Sequence, residues 1–246
     1  MRTGNPTLVS LALYTGEDFQ ENLNVLVKQC EQISENSIIV APEVSVTGFC
    51  YEHFAHAALF ASNIDEALLK ASKNHKTIIT THIEEEANYF YNVAKVYHDG
   101  KIIHQQRKHK LFPLGNEDLH FTAGHKEAIQ IFEIDGIKVG ILICFELRFI
   151  ELWQALKGAD IIIVPAQWGK PRAEHFLALT KALAIANQCY VIASDATNPE
   201  MSGGSGIIDP FGVELRNGEA VHTSLEFDPE ALKKMRRYIN VGTPIG

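Results

Sequence analysis

The chain has 246 residues, 46% hydrophobic and 21% charged, with a formal net charge of −8. That composition is globular and long enough to bury one large core. The negative balance argues against nucleic acid, which demands a basic face, and no apolar run approaches the ~20 residues of a membrane helix.

The elements follow in chain order. The N-terminal stretch MRTGNPTLVSLAL is read as a first strand at residues 7–13, too short for a secretory leader, so a cytoplasmic protein is expected. Leu23, Leu26, Val27, Cys30 and Ile33 then recur at helix spacing. Short β-branched runs at 37–41, 77–83, 91–97 and 102–106 predict strands, with a helix over 65–74 between the first two. Further strands are expected at 128–134, 138–143, 160–165 and 190–194, and helices at 149–157 and after Pro171, where Phe176, Leu179 and Leu183 recur. Runs at 205–209, 213–215 and 221–227 complete the set. Asp99-Gly100, Asp135-Gly136 and Asn217-Gly218 lie between such runs, and each is a hairpin signal.

Alternating strands and helices with some hairpins predict a mixed-sheet α/β protein. One sheet of so many strands would be very wide, so two stacked sheets with helices outside are expected. No linker composition breaks the chain, and residues 1–246 are read as one domain. The basic runs KHK and KKMRR are read as solvated faces.

The four cysteines (Cys30, Cys50, Cys144 and Cys189) form no CxxC pair, so neither a disulfide framework nor a metal site is expected. His53 and His56 are the close histidine pair, and at that spacing they read as surface residues.

Three strands end in a chemically capable residue. SIIVAPEVSVTGF places Glu43 past a buried strand, KIIHQQRKHKLFP places Lys108 and Lys110 past another, and GILICFELRF ends in Cys144. In α/β sheets, sites form where strands give way to loops. A thiol, a carboxylate and an ammonium are the parts of thiol-based acyl transfer. Taken singly, each has a plainer reading: Cys144 as a small buried hydrophobe, Glu43 as a turn cap, Lys108 in solvent.

Seven blocks in order resemble the nitrilase superfamily of carbon–nitrogen hydrolases. They are APEVSVTGF, YNVAKVYHDGKIIHQQRKHKLFP, GNEDLHFTAG, GILICFELRFIEL, GADIIIVPAQW, KPRAEHFLALTKALAIANQCYVIAS and GGSGIIDPFG. The resemblance implies a four-layer αββα sandwich with two stacked mixed β-sheets. It also implies Cys144 as nucleophile, Glu43 as general base and acid, Lys108 rather than Lys110 as oxyanion stabiliser, and Glu117 as a second, orienting glutamate. The backbone N–H of Phe145 would be a further oxyanion donor. No metal or organic cofactor is implied.

The branch with Cys-aromatic-acid-x-Arg-Phe is similar to ω-amidases, which implies a small amide bearing a carboxylate as substrate. Arg148 or Arg172, beside Trp168, would then hold that carboxylate as a fork; the alternative is that Arg148 serves a structural ion pair. A nitrilase or N-carbamoyl amide hydrolase using the same Glu-Lys-Cys site is the alternative activity. A silent scaffold and a thiol redox sensor are the readings outside hydrolysis. The resemblance further implies a homodimer or higher homo-oligomer, with the helices beside Cys144 and the C-terminal segment contributing. Helical spacing does not turn Phe149, Leu152 and Trp153 all toward one core, so at least one of them is expected to meet a partner chain.

Overall fold

The computed structural model describes residues 4–244. Strand β1 (Thr7–Leu11), helix α1 (Phe19–Gln32), β2 (Ser37–Val40), α2 (Phe54–Ala71), β3 (Thr77–Glu86), β4 (Tyr89–His98) and β5 (Lys101–Arg107) form the first half. The short α3 (Glu117–His120) leads to β6 (Phe132–Ile134), β7 (Ile137–Ile141), α4 (Ile150–Ala155), β8 (Ile161–Ala166), α5 (Ala173–Asn187) and β9 (Tyr190–Asp195). Strands β10 (Gly206–Ile208), β11 (Glu214–Arg216) and β12 (His222–Glu226) precede the last helix, α6 (Pro229–Tyr238).

Two six-stranded sheets result, in the orders β12-β1-β2-β3-β4-β5 and β11-β10-β9-β8-β7-β6. In each, three neighbouring strands run parallel (β1, β2, β3 and β7, β8, β9) and the outer ones antiparallel. The expected stacked mixed sheets with outer helices are therefore present.

The side-chain period of two assigns the faces. Val9, Ile39 and Ile78 stand in one cross-strand row and pack with Leu23, Leu26, Ile64 and Leu68 of α1 and α2. Their neighbours Leu8, Ile38 and Ile79 point the other way, into the apolar layer shared with Val139, Ile141, Ile161 and Ile163 of the second sheet. Leu152, Leu156, Phe176 and Leu183 of the α4–α5 region extend that cluster on the far side.

Several expectations change. The Asp99-Gly100 and Asp135-Gly136 turns close hairpins β4–β5 and β6–β7, with both residues of each at positive φ as a type I′ turn requires. Asn217-Gly218 does not, because β11 and β12 lie in different sheets and that turn carries the chain across. The run at 128–134 forms only a short strand at its end, after a 3₁₀ turn at Lys126–Ala128. Helix α2 begins at Phe54, and α6 was not anticipated. Within KKMRR, Arg236 is buried and ion-pairs with Asp160 at 3.0 Å, so that run is not wholly a solvated face. Leu152 and Trp153 are buried and the half-buried Phe149 packs against the same core, so all three turn toward one core, contrary to the expectation from helical spacing. Ile150 on α4 is the exposed apolar residue there.

Candidate active site

Glu43, Lys108 and Cys144 follow the carboxyl ends of β2, β5 and β7, and the sandwich brings those ends together. The Lys108 ammonium is fully buried. It donates to Glu43 Oε1 at 2.7 Å and to Glu117 Oε1 at 2.8 Å. Burial would push its pKa down, but the two carboxylates more than offset this and raise it, so the lysine stays charged. Glu117 is raised, mainly by burial and further by Glu43, with Lys108 opposing: one cation cannot fully compensate two neighbouring acids. Lys110 points elsewhere, with its ammonium 4.8 Å from the Phe149 ring and 3.9 Å from Glu151.

Cys144 sits at φ +48°, a left-handed conformation that L-residues other than glycine rarely adopt. It opens a 3₁₀ turn over Cys144–Arg148. Burial first, then the charge on Glu43, push its thiol well above the ordinary value, with Lys108 opposing. The resting sulfur is thus a neutral thiol. Val44, directly after Glu43, is also left-handed at φ +40°, a costly state for a β-branched residue. Its N–H is held by Thr81 Oγ1 at 2.8 Å, and its carbonyl accepts from Gly48 N at 2.7 Å.

A cavity of about 480 Å³ opens over the thiol. Cys144, Glu117, Phe145, Arg148, Trp168 and Arg172 all line it, so the expected substrate-side residues share one space. The Arg148 guanidinium lies 4.8 Å over the Trp168 ring and donates to His175 Nδ1 at 3.1 Å. Arg172 lies 5.1 Å over the Phe112 ring, and its carbonyl accepts from Trp168 Nε1 at 2.7 Å. Among the described residues neither guanidinium has a carboxylate partner, so the structural ion pair considered for Arg148 is not formed.

Residues 7–221 match the carbon-nitrogen hydrolase family model. The chain belongs to the carbon–nitrogen hydrolase family. The 2-oxoglutaramate amidase of Bacillus subtilis is 34% identical over 192 residues, covering 74% of this hydrolase and 73% of the relative. The omega-amidase YafV of Escherichia coli is 29% identical over 227 residues, covering 90% and 88%. A Saccharomyces cerevisiae member of branch 10 of the nitrilase superfamily superposes with a TM-score of 0.83 at 22% identity, covering 98% and 96%, and shares the fold.

Residues that no strand-end argument singled out also surround the site. Asn92 Nδ2 donates to Glu43 Oε1 at 2.8 Å, and its carbonyl accepts from Lys108 N at 2.8 Å. Gln167 N donates to Glu43 Oε2 at 3.3 Å and also faces the Cys144 sulfur. Tyr51 lines the cavity, with its hydroxyl on the Gly115 carbonyl at 2.5 Å. Gln167 had a signal, since it follows the carboxyl end of a buried strand as Glu43 and Cys144 do; Asn92 sits inside a strand, and only its place in the YNVAKVYHDG block marks it. The FTAG glycine has a packing reason. A Cβ on Gly124 would lie 2.5 Å from the Arg107 carbonyl, so only glycine lets that loop bond Lys108 O at 2.8 Å.

Beneath Trp168, Asp195 accepts from Trp168 N at 2.7 Å, Ser202 Oγ at 2.5 Å and Gly203 N at 3.1 Å. Burial still pushes its carboxyl up to about 7, from 3.8. The folded state therefore binds this proton more tightly than the unfolded chain. That contribution to stability is complete below the unfolded value and is lost as pH rises through about 7. The Tm of the wild type minus that of Asp195→Asn is therefore expected to fall between about pH 5 and pH 8. Thermal melts of both proteins check it, and a constant difference would contradict it.

Away from this cavity, Asp65, His82 and Glu84 could ligate a metal, but the Lys95 ammonium already occupies the cluster, 2.8 Å from Asp65 and against Glu84. Burial would raise Glu84, but His82 and Lys95 more than offset it and hold it at about 2. His53 and His56 are exposed.

Proposed function

We propose that this carbon–nitrogen hydrolase is an amidase that releases ammonia from a small amide with a distal carboxylate, by way of a thioester on Cys144. The observation that carries the substrate class is the pair of guanidiniums without carboxylate partners in the cavity over Cys144. The names of the relatives agree with it, since a 2-oxoglutaramate amidase and an omega-amidase are among them.

In this reading the sulfur attacks the amide carbon while Glu43 takes the thiol proton. An ammonium has three donors, and Lys108 spends two on Glu43 and Glu117. The third meets the developing oxyanion, with the Phe145 N–H as a further donor. Collapse breaks the carbon–nitrogen bond, and the proton on Glu43 leaves with the nitrogen as ammonia. Glu43 then takes a proton from water as the water's oxygen attacks the thioester. The carboxylic acid departs, and that proton restores the Cys144 thiol. Glu117 fixes Lys108 throughout.

The test compares an ω-amide of a dicarboxylic acid with its methyl ester. A charge-assisted hydrogen bond contributes about 1.5–3 kcal/mol, roughly ten- to a hundredfold in kcat/KM. Arg148→Lys and Arg172→Lys, which keep charge but lose the fork, identify the guanidinium responsible. Equal hydrolysis of acid and ester would refute the carboxylate reading while leaving the amidase. A nitrile turned over where no amide reacts would favour the nitrilase alternative.

We also infer a homodimer in the cytoplasm. Exposed Ile150 and Ile185, on the neighbouring helices α4 and α5, support an apolar contact there. Light scattering at micromolar concentration is expected to give twice the mass of one chain, and a monomer would refute the dimer.

A further inference from the structure

Lys108 and Cys144 stand on different sheets. β5 belongs to the first and β7 to the second, so no strand ladder sets the distance between the ammonium and the thiol. Apolar packing between sheets is non-directional and does not by itself hold two side chains in reacting register. Polar ties across the gap must do so.

Glu146 makes such a tie. It is completely buried and does not line the cavity. One carboxylate oxygen, Oε2, accepts from the Ile143 backbone N–H at 2.7 Å, at the entry to the strained Cys144. The other, Oε1, accepts from the His109 N–H at 2.6 Å and the Lys110 N–H at 3.4 Å, just past Lys108. The turn closes on itself through Glu146 N to the Ile143 carbonyl at 3.0 Å. No cation pairs with this carboxylate among the described residues; its partners are backbone donors on the two segments that carry the lysine and the thiol.

We propose that Glu146 is a positioning residue that clamps the Lys108 segment to the Cys144 turn across the two sheets, and that the clamp requires both acceptor oxygens of a carboxylate. This rests on the reading of Lys108 and Cys144 given above. An amide cannot replace it. Glutamine has the same shape but one acceptor, so its NH₂ must face either Ile143 N–H or His109 N–H and leave that donor unpaired. A simple space-filling role makes the opposite demand: glutamine would serve well, and the shorter aspartate poorly.

The experiment measures kcat, KM and Tm on an amide substrate for wild type, Glu146→Gln, Glu146→Asp and Cys144→Ala. Misplacing a reacting group by about 1 Å can cost 10²-fold. Glu146→Gln is accordingly expected to lower kcat by about 30- to 100-fold with KM within about threefold, since the residue does not meet substrate. Glu146→Asp keeps two acceptors and is expected to recover kcat to within about tenfold of wild type. Aspartate below glutamine, or a glutamine variant with wild-type kcat, would overturn the clamp. Should the glutamine variant not fold, Glu146→Asp decides alone: kcat within tenfold at unchanged KM supports the clamp, and a larger loss in a folded protein overturns it. Turnover by Cys144→Ala would instead refute the underlying mechanism, so the two failures are distinguishable.

Discussion

Cys144→Ala is expected to abolish turnover while the protein keeps its fold. Loss of the nucleophile in a covalent hydrolase can cost on the order of 10⁶ in kcat, and no other described thiol lines the cavity. The substitution removes one buried sulfur, so melts should show only a modest change. Cys30→Ala and Cys189→Ala serve as controls and should keep most activity. Both are completely buried away from the cavity, and burial pushes each thiol up to about 12, which leaves them unreactive at neutral pH. Ammonia release from the three pure variants checks this. Normal activity in Cys144→Ala would end the thioester mechanism.

Lys108→Ala should be the next most damaging change, and it should act twice. Removing one oxyanion donor commonly costs about 10²–10³ in rate. It also leaves Glu43 and Glu117 facing each other in a buried site without their shared cation. Breaking a buried ion pair by removing one partner costs about 3–5 kcal/mol, so a clear fall in Tm should accompany the lost rate. Lys110→Ala is the contrast. Its ammonium is part-exposed and meets Glu151 at 3.9 Å, a contact of about 0–1 kcal/mol. Parallel measurements of kcat and Tm separate the two lysines. Equal losses, or the reverse order, would mean that the wrong member of the RKHKLFP segment has been assigned.

Much of this was legible because it depends on short-range pattern. The strands of the sandwich announce themselves by β-branched runs, since each buries a face at a period of two. Two of the three Asx-Gly turns close hairpins as expected, because positive φ is a local demand that those residues meet. Glu43, Cys144 and the RKHKL segment stand out as polar groups directly after apolar strands, and the ordered blocks around them identify the family.

The tertiary structure decided what depends on partners distant in sequence. Asn217-Gly218 has the same local chemistry as the other two turns, yet it joins different sheets, because strand choice is settled by the core and not by the turn. Lys108 and Lys110 are two residues apart and alike in type. Only the fold places one between two carboxylates and the other over an aromatic ring near the surface. Asn92, inside a strand, and Asp195, at the end of one, meet Glu43 and Trp168 through contacts that come from segments distant in sequence. Glu146 looks like an ordinary acid after Cys144 until the end of the first sheet brings His109 N–H to its other oxygen. The sequence by itself determined most of the strands, the family and the candidate reactive groups, because these are written in local periodicity and residue type. The pairing of sheets, the two carboxylates that keep the buried Lys108 charged and the cavity over Cys144 arise from contacts between distant segments, and only the folded chain supplies those.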